Sequence, residues 1–379
     1  MTNPFRYGGV VGEEAFCNRK QELADLLRAM ENGERLFIYS ERRLGKTSLV
    51  RLALSRLPQR DYIPVYVDLW PTDGAESFVA VTAKAITESL ATSADRMLQA
   101  ARDFFSRLSA TLRTDSQGNP QVRFGLREPE VKTPDLEEVL SAPARIADRR
   151  KCRVVIALDE FQRILEYQND LVERTLRSLI QDQEDVSYVF LGSRKHLIQR
   201  MVLDRSSPLY RAGGHYPLSP ISTKDWVPFV RERFERSGKQ ISDDYVRSIC
   251  HIAKGHPFYT QHLCHSVWEL CEPEEAVDEK TIDDAVQLLL ERESYAYTTL
   301  WESLTRMQRR FLRGLATEPD GVQVFSAAFL QRHQLGSAST VQGVVDALLE
   351  KDIIDRSNGS FLISDRFYRI WIQQYAALG

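Results

Sequence analysis

Cysteine is scarce in this sequence. The five present (Cys17, Cys152, Cys250, Cys264 and Cys271) are odd in number, dispersed and without a CxxC pair. This pattern argues against a disulfide framework and a zinc site and fits a reducing compartment. Long apolar runs are missing too: no stretch approaches the roughly 20 consecutive apolar residues of a membrane span. The opening Met-Thr-Asn-Pro-Phe-Arg-Tyr holds no apolar segment of a secretory signal, so a cytoplasmic protein without membrane contact is expected. Nor does either sign of charge dominate, since 50 Lys and Arg face 53 Asp and Glu. A bulk polycation that coats nucleic acid or anionic membrane is thereby excluded, although a local basic face is not. Internal repeats and low-complexity tracts are absent. What remains is an ordinary globular composition, 43% hydrophobic over 379 residues. At roughly 150 residues per domain this length allows two to three domains.

Between about residues 35 and 220, short β-branched runs alternate with helical patterns. The runs are Arg35–Tyr39, Tyr62–Leu69, Arg153–Leu158, Ser187–Gly192 and, more weakly, His215–Leu218. Near-continuous apolar strands separated by helices predict a parallel sheet covered on both faces. A segment from about Leu90 to Arg150 reads as an insertion. It holds a polar turn (Asp115–Pro120), an alternation at Val122, Phe124 and Leu126, and a helix start at Thr133-Pro134-Asp135. After Ser222 the apolar spacing becomes helical (Val246, Ile249, Cys250, Ala253; Ala285, Leu288, Leu289), which predicts an all-α segment. From Tyr297 onward, three helices (Arg306–Ala316, Ser326–His333, Ser337–Lys351) precede two short strands around the turn Ser357–Gly359, the pattern of a winged helix-turn-helix. The expected domains are therefore a core over 1–220, a helical lid over 221–296 and a winged helix over 297–379.

The chemistry concentrates at two strand ends. Strand Arg35–Tyr39 runs into Ser40-Glu-Arg-Arg-Leu-Gly45-Lys46-Thr47, and a helix follows. This is the context of a Walker A phosphate loop. Successive backbone N–H groups and the helix N-terminus make a concave anion site. Lys46 supplies charge to the β/γ oxygens, and the Thr47 hydroxyl can ligate Mg²⁺. Gly45 lets the backbone approach phosphate closely. The strict motif opens on glycine, and Ser40 stands there instead; serine disfavours positive φ, so an altered or strained opening turn is expected. Ser40, Arg43, Gly45, Lys46, Thr47 and Ser48 are the candidate nucleotide-binding residues.

Further along, Val154–Leu158 ends in Asp159-Glu160, the Walker B arrangement. Asp159 is the candidate for the Mg²⁺ shell and Glu160 for orienting or deprotonating the attacking water. The alternative is that Glu160 serves as an acidic cap to the next helix. Ser187–Gly192 ends in Ser193-Arg194. In P-loop enzymes with an extra strand between the two motifs, a polar residue there faces the γ-phosphate, so Ser193 is a candidate for touching the water and Arg194 for offsetting developing charge. A strand-end serine beside a solvent-facing arginine is the alternative. The expected fold is thus an α/β P-loop NTPase of the ASCE type, followed by an all-α lid and a winged helix.

The opening Asn3-Pro4-Phe5-Arg-Tyr7-Gly8, the stretch Phe16-Cys-Asn-Arg19-Lys-Gln-Glu22-Leu23, and Arg42-Arg43-Leu-Gly45-Lys46-Thr47-Ser48-Leu49 together resemble the archaeal-type ATPase family. Gly192-Ser193, Ser207–Arg211, Gly255-His256-Pro257 and the closing Asp365–Trp371 are similar to that family's landmarks. The family belongs to the STAND branch of AAA+-related ATPases and is kin to the Orc1/Cdc6 initiators. The resemblance implies that His256 and Pro257 fold over the nucleotide and report its state, and that Tyr7 lies near the adenine. From the residues alone, His256 in a helix–helix turn reads equally as a cap, and Tyr7 as packing of an N-terminal arm. Arg211 is a candidate arginine finger acting in trans, or an ordinary surface arginine.

The winged helix invites a DNA reading. Between Tyr297 and Gly379, however, nine basic residues face eight acids, and the second long helix offers only Lys351 against Asp346 and Glu350. A module that anchors on phosphates shows a clearer basic stripe, so contact with protein is favoured over reading DNA. The expected function is a slow ATP-hydrolysing switch, using ATP or ADP with Mg²⁺, in which nucleotide bound between core and lid moves the lid and the winged helix signals to a protein partner in trans. Nucleotide-dependent self-assembly fits this scheme. The alternatives are a DNA-binding, initiator-like or transposition-regulator-like ATPase, and a non-hydrolysing scaffold that retains nucleotide.

Overall fold

A computed structural model describes residues 2–9, 16–91, 93–127, 130–357 and 359–375. The chain divides into two compact units, Arg19–Ser219 and Met1–Asn18 with Pro220–Gly379. The N-terminal arm, expected with the core, is therefore grouped with the C-terminal half.

The unit Arg19–Ser219 runs α1 (Lys20–Glu31), β1 (Arg35–Tyr39), α2 (Lys46–Arg56), β2 (Tyr62–Asp68), α3 (Ala75–Leu90), α4 (Ala94–Phe104), β3 (Leu108–Thr114), β4 (Pro120–Leu126), α5 (Thr133–Arg150), β5 (Arg153–Asp159), α6 (Leu171–Ile180), β6 (Val186–Gly192), α7 (Lys195–Leu203) and β7 (Gly214–Pro217). Five of these strands form a parallel sheet in the order β2-β5-β6-β1-β7. β6 lies between β1 and β5, so the strand that carries the phosphate loop and the strand that carries Asp159 are separated by one strand. This is the expected ASCE arrangement. Val154 through Asp159 are all buried, as are all seven residues of β6, which is why these strands read as unbroken apolar runs. Beneath them Phe37, Phe161 and Phe190 pack together, with centroids 4.5 Å apart for Phe37–Phe190 and for Phe161–Phe190. The expected insertion resolves into two parts. α4 and the β3–β4 hairpin lie outside the main sheet, with Asp115 accepting from the N–H groups of Gln117 and Asn119 to close the turn. α5 instead buries Leu136, Val139, Leu140 and Ile146 in the sheet's core, as the crossover helix into β5 must.

The other unit contains α8 (Thr223–Arg236), α9 (Asp243–Ala253), α10 (Pro257–Leu270), α11 (Glu279–Glu302), α12 (Arg306–Thr317), α13 (Ala327–Arg332), α14 (Ala338–Glu350), β8 (Ile354–Ser357), β9 (Ser360–Ile363) and α15 (Arg366–Gln374). Side-chain caps start the winged-helix elements: Thr305, Ser326, Ser337 and Asp365 each accept a backbone N–H of the first turn. β8 and β9 pair antiparallel to form the wing; Asn358 of the expected turn lies outside the described residues. The expected border at 296/297 falls inside α11, a continuous 24-residue helix. On α11, Tyr297 packs on Tyr368 at 5.1 Å and Trp301 on Trp371 at 6.2 Å. Helical and winged parts therefore share one hydrophobic core.

The candidate nucleotide site

β1 delivers the chain, buried, to Ser40, and α2 begins at Lys46. Gly45 caps α2 at φ 87°, and no side chain caps the helix, so its first amides face the loop. A Cβ at Gly45 would meet nothing within 4 Å, which leaves open space where a phosphate-binding loop requires it. Ser40 avoids positive φ among the described residues; the left-handed positions of the loop are Arg43 (φ 60°) and Gly45. The serine at the opening position thus escapes the strain that a positive φ would impose on it. Lys46 is buried, and its ammonium donates to Ser40 Oγ at 2.8 Å and to the Glu41 carbonyl at 2.9 Å. The serine that replaces the first motif glycine thereby puts a hydroxyl on the lysine.

Asp159 ends β5, 4% exposed, in register with Asp68 of β2. Its Oδ2 accepts the Thr47 hydroxyl at 2.7 Å and the Tyr66 hydroxyl at 2.5 Å, and its Oδ1 accepts the Glu160 N–H at 2.8 Å. Burial, then the Asp159 charge and hydrogen bond, push the Tyr66 hydroxyl well above its ordinary range, so it remains a donor. The Arg51 guanidinium lies 4.2 Å from the Tyr66 ring centre. Glu160 adopts the left-handed conformation (φ 53°, ψ 40°) before the 3-10 helix Phe161–Glu166. Its carboxylate makes no cap bond. It accepts instead from the Ser193 hydroxyl at 2.7 Å and from the Gln162 amide, which also reaches Ser193 at 3.3 Å. Sheet and loop thus bring together Ser40 with Lys46, Thr47 with Asp159, and Glu160 with Ser193. Arg194 pairs with Glu166 at 3.3 Å, and Arg211 sits exposed at φ 52°, its guanidinium 5.3 Å from the Tyr210 ring.

Residues 16–263 match the family described as the ATPase domain predominantly from Archaea, and residues 295–374 match a probable winged helix domain. The chain belongs to this archaeal-type ATPase family. No curated protein matches it by sequence. Among solved structures it is similar to a Walker-type ATPase of Pyrococcus abyssi, at 14% identity and TM-score 0.64, covering 95% of this chain and 97% of that one. It is also similar to the Orc2 protein of Aeropyrum pernix in its ADPNP–ADP complexes, at 14% identity and TM-score 0.53, covering 96% of each chain. The Orc1 protein of the same organism in complex with DNA matches at 16% identity and TM-score 0.50, covering 96% of this chain and 94% of that one. At these identities the likeness is one of fold.

The remaining candidates of this archaeal-type ATPase lie in the unit that carries its helical part. Gly255 (φ 64°) accepts at its carbonyl from Ile221 N and Trp226 Nε1, at 3.0 and 3.1 Å. This pins the turn in which His256 is 1% exposed, 4.7 Å from the Tyr259 ring, and Pro257 opens α10. The Tyr7 ring stacks on His262 at 3.9 Å, while Phe5 packs on Phe234 and Asn3 bonds the His265 carbonyl.

Three neighbours of the site, Tyr66, Gln162 and Arg19, carry no motif that gives them a role. Tyr66 and Gln162 lacked a motif spacing to mark them. Arg19, buried, donates to the Leu44 carbonyl of the loop at 3.4 Å and to the Ser219 carbonyl at 2.7 Å. A buried arginine needs such partners, but the sequence does not name them. Thr47 and Asp159 offer the hard oxygen donors that suit Mg²⁺. Among the described residues no cluster of three or more His, Cys, Asp or Glu makes a self-sufficient metal cage.

Proposed function

We propose that this archaeal-type ATPase binds ATP with Mg²⁺ at the Ser40–Ser48 loop, hydrolyses it slowly, and acts as a molecular switch whose helical part and winged helix signal nucleotide state to a protein partner. The observation that carries the reading is the joining of the two motifs by the Thr47–Asp159 hydrogen bond at 2.7 Å. Thr47 and Asp159 would hold the cation, which when bound neutralises phosphate charge and orients the β and γ oxygens. The amides of the loop and of α2 receive the phosphates, and Lys46 exchanges its bonds to Ser40 and Glu41 for phosphate oxygens. Glu160, held by Ser193 and Gln162, aligns and accepts a proton from the attacking water. Arg194 or Arg211 supplies compensating charge in transfer, and His256, Pro257 and Tyr7 respond to the bound nucleotide.

A protein partner is favoured by the fate of the winged-helix cations. Arg309, Arg310, Arg366 and Arg369 donate to backbone carbonyls of their own fold, and Arg332 pairs with Glu318. On α14, Ser339 and Thr340 bond Ser337, and Gln342 bonds Asp346. The DNA reading draws on the winged helix domain itself and on the likeness in fold to an Orc1 protein solved with DNA. Two substitutions test the site. Lys46→Ala abolishes nucleotide binding by titration calorimetry, and unchanged affinity would remove the assignment. Glu160→Gln binds ATP but stops phosphate release; full turnover in that variant would hand the water to another group.

A further inference from the structure

Tyr66 donates its hydroxyl to the same Asp159 oxygen that accepts from Thr47, and no nucleotide motif includes it. Three elements fix this arrangement. β2 pairs with β5 so that Tyr66 lies opposite Ala157 and Asp68 opposite Asp159, which brings the ring to the motif carboxylate. α2 carries Thr47 and, one turn later, Arg51, so one helix face presents both the hydroxyl that meets Asp159 and the guanidinium that covers the Tyr66 ring. The third is Asp159 itself, whose other oxygen is taken by the Glu160 N–H. Its carboxylate thus accepts three hydrogen bonds, from Thr47, Tyr66 and the Glu160 N–H.

We infer that Tyr66 is a positioning residue of the metal site: its hydroxyl locks the Asp159 carboxylate in the orientation that the cation needs, and Arg51 steadies the ring. The inference rests on the ATP-and-magnesium reading. Partners that orient a ligating or water-bridging carboxylate typically change metal affinity by about 10- to 100-fold when removed. In this role Tyr66 touches neither nucleotide nor water. Its loss should therefore alter how the protein uses the cation and leave metal-free nucleotide binding alone.

The test is calorimetric binding of a non-hydrolysable ATP analogue to the full chain, first in EDTA and then across a Mg²⁺ titration. Tyr66→Phe, which keeps the ring, is expected to match wild type in EDTA and to need about tenfold more Mg²⁺ for half-maximal tightening. Arg51→Met, which keeps the hydroxyl, is expected to shift the same midpoint less, in the same direction. An unchanged Mg²⁺ midpoint in Tyr66→Phe overturns the inference and leaves the ATP reading standing. Equal loss of affinity with and without Mg²⁺ also overturns it, because Tyr66 would then merely support the loop. If wild type itself gains nothing from Mg²⁺, the underlying reading fails and the inference falls with it; that failure is seen without any variant.

Discussion

Gln162 is 1% exposed, and its amide nitrogen serves both Glu160 and Ser193. A buried amide that bonds a carboxylate this way holds the carboxylate's direction together with the Ser193 hydroxyl, which bonds the same oxygen. Phe161, packed on Phe37 and Phe190, anchors the turn between them. Gln162→Leu should therefore lower kcat by about tenfold with little change in KM, since it spoils alignment and not nucleotide contact. Gln162→Glu should lower kcat further, because the new carboxylate repels that of Glu160 instead of donating to it. Steady-state kinetics of both variants beside wild type checks the two outcomes.

Among the elements, the turn between α9 and α10 is specified by its glycine. Lys254 and Gly255 are both left-handed, and a Cβ on Gly255 would stand 2.4 Å from the Ile221 carbonyl oxygen. Only glycine fits without displacing backbone. Gly255→Ala should cost about 2–3 kcal/mol of stability and lower the melting temperature in scanning calorimetry. Gly343, in α14, is the contrast: it is helical, exposed, and has nothing within 4 Å of an added Cβ. Gly343→Ala should stabilise by about 0.5–1 kcal/mol, because alanine gives up less backbone freedom on folding. The Gly-His-Pro turn thus has a structural requirement at its glycine whatever His256 does for nucleotide.

Over the whole molecule, charge decides between partners. The winged helix carries nearly balanced charge, and several of its arginines are bound to its own carbonyls or acids. Phosphate anchoring releases counterions in proportion to the contacts made, so DNA affinity of that kind falls steeply with salt. Binding to random duplex, followed by fluorescence anisotropy from low to moderate salt, should be weak with a log–log slope near zero. A slope of several units would favour the initiator-like reading instead. At the same scale, one hydrophobic core spans the helical and winged parts, and α11 runs through both without a break. A partner that engages the winged helix therefore meets a body continuous with the turn that holds His256.

The sequence alone determined what depends on neighbours a few residues apart. The loop before α2, the apolar run into Asp159 and the helices α13 and α14 were legible, because helix starts, turns and strand burial leave local patterns in residue type. Features set by distant pairings were not. Tyr66 meets Asp159 across 93 positions, Gln162 meets Ser193 across 31, and Arg19 reaches Ser219 across 200. The grouping of the N-terminal arm with the C-terminal half, and the single helix that runs through the expected border at 296/297, belong with these. Such contacts follow from the order β2-β5-β6-β1-β7 and from shared cores, which are chosen by packing the whole chain at once. The motifs name the candidate groups of the site; only the tertiary structure decides which side chains hold those groups in place.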